Sequence, residues 1–332
     1  MIMRKLSPFS RRDMLKAGGA AALMAAGSQL WPAEAVAKSN KVHKQAPGYF
    51  RFSHGDFEIT VLSDGNLVLP ASSMAGNVPE ATLKAFLSSN YLDTQSHLAH
   101  VNLTLVNTGE QLILIDTGSG PNFQESAGRL ADNLEAAGID PAKIDKIIVT
   151  HGHPDHIWGI IDEFEEAPRF ANAEYYINAL EWAFWTADDT ASKLPDGIAF
   201  FATGARRNLL PVSGATRRIK PGDEVVPGVR VIESFGHTPG HMSVMVQSQK
   251  EQLLVTGDAI NHALISFQHP DWQPKIDMDG PRAVQSRKKL LDMAATDRFT
   301  VVGYHLPFPG VGHVARNGSG YRWVPALWRW EL

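Results

Sequence analysis

Apolar and polar residues follow two periods along this chain, and the switches between them mark out its elements. FEITVLSDG (57–65) carries the apolar, β-branched signature of a strand and is predicted to end in a turn at Asp64-Gly65. HVNLTLVNTGEQLILIDTG (100–118) contains two apolar runs around Asn107-Thr108-Gly109-Glu110, which predicts a hairpin. Residues 122–137 switch to helical spacing, with Phe123, Leu130 and Leu134 on one stripe and Gly138 as the stop. KIDKIIVT (143–150) returns to a short apolar strand. In the second half, VRVIESFGH (229–237) and QLLVTGD (252–258) read as strands, with SVMVQSQ (243–249) between them expected to pair with both. A helix over 281–295 and a strand over FTVVGYH (299–305) complete the pattern, without internal repeats or low-complexity segments.

Polar clusters punctuate these strands at one end. DTG begins at 116, HGHPDH at 151, GHTPGH at 236 and GDAINH at 257, and His305 closes the last strand. Strand ends and the loops after them are where a rigid scaffold presents functional side chains.

Composition narrows the class. The 332 residues suffice for one large domain or two small ones, and 44% hydrophobic with 20% charged residues is the balance of an ordinary globular protein. Cysteine is absent, so disulfides, thiolate metal sites and cysteine nucleophiles are excluded. Residues 1–37 read as a targeting segment: the Arg11-Arg12 pair precedes an Ala/Gly-rich apolar run, and Ala35-Val36-Ala37 resembles a cleavage site. This is similar to a twin-arginine signal and implies a periplasmic protein, with residues 38–48 as a polar arm of a domain spanning 38–332. The apolar run is short for a membrane span of roughly 20 residues, so no stable insertion is expected after cleavage. Residues 1–37 hold five of the 31 basic and two of the 35 acidic side chains, so the remainder carries a formal charge of −7. Such a surface repels phosphate backbones and argues against nucleic acid as a partner.

Against that background, THGHPDHIWG (150–159) is the chemical centre of the sequence: three of the 13 histidines and an aspartate fall within six positions. His151 and His153, two apart in an extended turn, can face one cation, while Asp155 and His156 on the next bend face another. Neutral imidazoles with carboxylates suit zinc best, although manganese, iron or cobalt fit the same donors.

HGHPDHIWG resembles the HxHxDHxxG signature of the metallo-β-lactamase superfamily, with Gly159 as its terminal glycine, and DTG, GHTPGH, GD and His305 follow in that superfamily's order. Within it the chain is most similar to the methyl parathion hydrolases, over nearly all of 38–332, including HLPFPGVGH (305–313) and GYRWVP (320–325). The resemblance implies a four-layer αββα sandwich of the α/β (α+β) class and two divalent metal ions per chain. One would be held by His151, His153 and His237, the other by Asp155, His156 and His305, with Asp258 and a hydroxide bridging them and Asp258 and Asp155 the carboxylates closest to the chemistry. Asp116 would orient a ligand imidazole, or alternatively form a turn, and His241 would lie behind the ligands. Phe123, Trp185 and Phe200 would clamp an aryl leaving group, although Phe123 also fits a buried helical stripe.

The implied activity is hydrolysis of small esters, lactones or organophosphate triesters, with a homodimer possible. Flavodiiron proteins carry Glu where this chain has His153, and the commonest zinc β-lactamases carry Cys where it has Asp258. RNA-processing members have a large second domain, and thioesterases of the glyoxalase II type have C-terminal substrate-binding helices that are not evident here. Asn261 and His262 are more polar than an apolar pocket wall and favour an aryl ester, or a lactone such as an acyl-homoserine lactone, over a phosphotriester. The alternative from another class is a periplasmic metal-binding protein without hydrolase activity.

Overall fold

In the computed structural model, which describes residue 41 and residues 45–329, sixteen strands are laid down in two consecutive blocks. The first block is β1 (Tyr49–His54), β2 (Phe57–Pro70), β3 (Ser96–Asn107), β4 (Leu112–Ile115), β5 (Lys146–Val149), the small hairpin β6 (Ile161–Asp162) and β7 (Ala167–Pro168), then β8 (Glu174–Asn178) and β9 (Thr216–Ile219). Apart from the hairpin these strands form one sheet in the order β1-β2-β3-β4-β5-β8-β9, antiparallel up to β4 and parallel from β4 to β9. The second block is β10 (Glu224–Val226), β11 (Val229–Glu233), β12 (Met242–Ser248), β13 (Glu251–Val255), β14 (Thr300–Val302), β15 (Val311–Asn317) and β16 (Gly320–Pro325), paired in chain order. Only β13 and β14 are parallel there.

Period-2 alternation sorts the side chains into layers. Ile113 and Ile115 of β4 enter a core shared with Leu253 and Val255 of β13, so the two sheets pack face to face. Leu114 points the other way, toward α2 (Leu130–Ala136), α4 (Ala179–Thr186) and α6 (Phe200–Leu209). Leu254 and Val301 face α7 (Ile265–Gln268) and α8 (Gly280–Asp297). The shorter helices α1 (Glu80–Ser89), α3 (Pro154–Ile157) and α5 (Thr190–Lys193) lie in connections. Helices therefore flank a pair of sheets, which is the expected αββα sandwich, and the compact unit begins at Ala46. Among the described residues no helix is long and apolar enough to cross a membrane. The segment 1–37 and most of the 38–48 arm lie outside the described residues.

Two local expectations are corrected. The strand from Phe57 does not end at Asp64-Gly65 but runs on to Pro70, with a bulge between Ser63 and Gly65. Gly65 takes φ +102, and Asp64 turns inward to accept the backbone N–H groups of Ser119 and Leu130, both at 2.7 Å. The helix predicted over 122–137 covers only Leu130–Ala136. Gly128 is in the left-handed region at φ +78, which breaks helical continuity, and the Asp64 carboxylate serves the first turn of α2 instead. The stop at Gly138 stands, at φ +74.

Candidate metal centre

Four strand ends build the site. After β5, residues 150–153 stay extended, and Pro154 at the first helical position starts α3, which carries Asp155 and His156 in its single turn. His237 follows β11, Asp258 lies on a 3-10 turn after β13, and His305 follows β14. All seven side chains are buried.

They converge in two groups, His151, His153, His237 and Asp258 in one and Asp155, His156 and His305 in the other. In the first, His153 Nδ1 lies 2.9 Å from His151 Nε2 and 3.0 Å from His237 Nε2. Asp258 faces both groups: Oδ1 is 3.1 Å from His156 Nε2, while Oδ2 is 3.1 Å from His305 Nε2 and 3.2 Å from His237 Nε2. Asp155 Oδ2 lies 3.3 Å from His156 Nε2 and 3.4 Å from His305 Nε2.

The far side of each ring shows what belongs in the middle. His156 Nδ1 is 2.8 Å from Asp116 Oδ2, His237 Nδ1 is 2.8 Å from Asp277 Oδ1, and His305 Nδ1 is 2.7 Å from the His100 carbonyl. Those partners accept, so a ring proton sits on each Nδ1, and the three Nε2 atoms face carboxylate oxygens that they can meet only through a cation, a proton or a metal ion. Lone pairs at such distances repel unless cations lie between them. Among the described residues, His156 Nε2, Asp155 Oδ2 and Asp258 Oδ1 also have no hydrogen-bond partner. Both donor sets fit divalent metals.

Protons are the competing cations. Burial opposes charge on His237, but Asp258 and Asp277 outweigh it and raise its pKa to about 9. His156 and His305 are likewise raised by facing carboxylates against the cost of burial. Burial and neighbouring imidazoles instead push His151 and His153 well down, which suits rings that bind a metal as neutral donors.

Around these groups lies a shell of orienting contacts. Asp116, at φ +63, accepts from the Thr150 N–H at 2.7 Å and the Thr150 hydroxyl at 2.8 Å as well as facing His156. His241 stands behind Asp258: its Nε2 accepts the Asp258 N–H at 2.9 Å, and burial lowers its pKa to about 3, so it stays neutral. Tyr304 stacks on His156 with centroids 3.9 Å apart and donates its hydroxyl to the Asp155 carbonyl. Asp277 was not anticipated from the sequence. It joins His237 to Arg287, a buried guanidinium on the inner stripe of α8 that also donates to the carbonyls of Ala259, Pro270 and Trp272. Its one signal, an acidic residue 40 positions from its partner, is too diffuse to read.

The motif's terminal glycine has a steric cause. A Cβ on Gly159 would overlap the carbonyl oxygen of Thr117, on the loop that follows Asp116. Gly159→Ala is expected to destabilise the protein by about 3 kcal/mol, since backbone cannot move aside as a flexible side chain would. Chemical denaturation tests this, and a change within about 0.5 kcal/mol, the range of an ordinary surface substitution, would refute it.

The expected aromatic clamp is rearranged. Trp185 is 0% exposed and packs in the core behind the site, its Nε1 donating to Glu181 and its ring edge-on to His153 at 5.5 Å. It is not a free pocket wall. Phe200 is half exposed, and the next residue, Phe201, faces His153 with centroids 5.6 Å apart. Phe123 lies on a loop rather than a helical stripe and packs on Trp158 and Phe201 at 5.4 and 5.9 Å. Phe123, Trp158 and Phe201 thus form the aromatic cluster beside His153; Trp158 stood in the motif itself, unread. Asn261 is half-buried and bonds the Ser266 hydroxyl. His262 is buried against His97, whose Nε2 has no partner among the described residues. Burial lowers the pKa of His262 to about 4; burial and the charges of His262 and His305 lower that of His97 to about 3.

The model of the Metallo-beta-lactamase superfamily matches residues 98–305, the span that includes every one of these ligands. The chain belongs to that superfamily. The superfamily hydrolase AbOPH has a crystal structure that superposes with a TM-score of 0.80 at 31% identity, over 86% of this chain and 100% of that one. AidC, a dizinc quorum-quenching lactonase in complex with a product N-hexanoyl-L-homoserine, superposes with a TM-score of 0.80 at 29% identity, over 85% and 98%. The probable metallo-hydrolase YqjP of Bacillus subtilis (strain 168) is 27% identical over 165 residues, 46% of this chain and 50% of that protein, so the match spans half its length. This member of the superfamily is a metal-dependent hydrolase, and its two donor groups together with the dizinc relative support two divalent ions. The non-enzymatic alternative is set aside.

Proposed function

We propose that this hydrolase cleaves carboxylic esters, namely aryl esters and lactones, with organophosphate triesters such as methyl parathion as weaker or comparable substrates. The observation that carries the reading is the asymmetry of the surroundings. An aromatic cluster of Phe123, Trp158 and Phe201 stands beside His153, while the polar pair His262 and His97 lies on the side of His305. The first suits a flat aryl or acyl group and the second a polar carbonyl ring. The likeness to AidC supports the lactone branch, and the likeness to AbOPH leaves the phosphotriester branch open.

His151, His153, His237 and Asp258 would hold one ion, and Asp155, His156, His305 and Asp258 the other; zinc suits this nitrogen–oxygen set. Two such ions supply a water-derived nucleophile at neutral pH and polarise the oxygen of the group attacked. The chain's own part is orientation. Asp116, Asp277 and the His100 carbonyl fix which imidazole nitrogens face inward, and His241 aims Asp258 between the two groups. A good leaving group such as nitrophenolate needs no protonation, so no dedicated general acid is required.

Metal-loaded protein assayed on p-nitrophenyl esters, dihydrocoumarin, acyl-homoserine lactones and methyl parathion tests the reading. Turnover of an ester or lactone is the expected result. Silence on every carboxylic ester, or methyl parathion outrunning all of them a hundredfold, would overturn it.

A further inference from the structure

Helix α4 carries a buried carboxylate that belongs to neither donor group. Glu181 is 0% exposed and forms no ion pair among the described residues. Its oxygens instead accept four hydrogen bonds. Oε1 takes the Gly152 N–H at 2.9 Å and the Trp185 indole N–H at 2.6 Å. Oε2 takes the Thr238 hydroxyl at 2.9 Å and the Gly240 N–H at 2.8 Å. Gly152 lies between His151 and His153, while Thr238 and Gly240 follow His237 directly.

The close approach is built in on both sides. A Cβ on Gly152 would overlap the Trp185 ring, and one on Gly240 would come within 2.5 Å of the Glu181 backbone nitrogen. Glycine at these positions lets both loops reach the same turn of α4, where Glu181 and Trp185 stand four residues apart on one face. A carboxylate buried without a cation is tolerated only when its lone pairs are filled, and charge-assisted bonds to main-chain N–H groups are strong and short. Two loops from different sheets, joined otherwise by the main-chain bond from the Met242 N–H to the Thr150 carbonyl at 3.0 Å, are thereby held at one separation.

We propose that Glu181 is a positioning residue for the first metal group: it sets the distance between the His151–His153 turn and His237, the two segments that supply its three imidazoles. None of its bonds reaches Asp155, His156 or His305, so its influence is selective. The proposal rests on reading the two groups as metal sites.

Glu181→Gln keeps size and shape but puts an amide NH2 where an acceptor stood. One hydroxyl, that of Thr238, can turn to accept from it, whereas the Gly240 N–H cannot. Zinc titration against a chromophoric chelator should resolve two sites in the wild-type protein. In Glu181→Gln the first group should weaken roughly 10- to 100-fold, the range for losing a contact behind a ligand, with the second group unchanged. Pairing with ligand variants identifies which group moved. With His305→Ala, Glu181→Gln should weaken the remaining tight site further; with His151→Ala it should add little. Thr238→Val, which deletes one arm only, should shift the first group in the same direction by less, and it serves as the reporter if Glu181→Gln fails to fold. Equal weakening of both groups, or no change in either, would overturn the proposal and leave the two-metal reading standing. A wild-type protein that binds fewer than two ions would overturn that reading, and this proposal with it.

Discussion

Asp258→Ala should reduce kcat/KM for every hydrolysed substrate by roughly a thousandfold or more, about 4 kcal/mol of transition-state stabilisation at 1.4 kcal/mol per decade. Its carboxylate faces the inner nitrogens of both donor groups: the two oxygens lie 3.1 to 3.2 Å from those of His156, His305 and His237. Alanine removes both oxygens, and the pocket offers no replacement, because Asp155 faces only His156 and His305. Metal content should fall from two ions toward one or none in the same variant. His151→Ala or His153→Ala should lower it as well, with smaller effect, since each touches a single group. Elemental analysis alongside kinetics decides the matter. An Asp258→Ala enzyme that kept two ions and wild-type turnover would rule out its bridging position.

Stripping the metals should lower the melting temperature by about 10 °C. A ligand present at a thousand times its dissociation constant stabilises the folded state by about 4.1 kcal/mol, and a chain of this size shifts by roughly 2 to 4 °C per kcal/mol. The loss should depend on pH, and its sign follows from the site. In metal-free protein the carboxylates keep His237, with pKa about 9, protonated despite burial, and favour the protonated forms of His156 and His305. An entering ion must displace those protons, so binding releases protons at pH 7 to 8 and weakens as pH falls. Calorimetric titration in buffers of different ionisation enthalpy counts the protons released. A count of zero, or a melting temperature indifferent to chelator, would contradict this account.

The ligand set was legible because most of it is local. Four of the seven residues fall within 151–156, where the strand–loop–helix geometry makes sequence spacing a spatial statement, and the others each end an apolar strand. Period-2 apolar runs likewise exposed the layers, since Ile113 and Leu114 differ in sequence by one place and in environment by a whole sheet. What escaped was long-range or conformational. Asp64, Asp277 and Glu181 are isolated acidic residues whose meaning appears only when distant N–H groups or imidazoles meet them. The helix over 122–137 was overread because hydrophobic spacing ignores that Gly128 adopts a left-handed conformation. Along α6, one residue is about 100° of rotation, so the step from Phe200 to Phe201 exchanges a half-exposed ring for one against His153.

Each sheet is drawn from one continuous half of the chain, residues 49–219 and 224–325, and neither half owns a complete set of donors. His151, His153, Asp155 and His156 come from the first half, and His237, Asp258 and His305 from the second. The two ions therefore act as rivets between the halves as well as reagents. Metal capture would then be coupled to the packing of the two halves at that end, and a fluctuation that parted them there would loosen both donor groups at once.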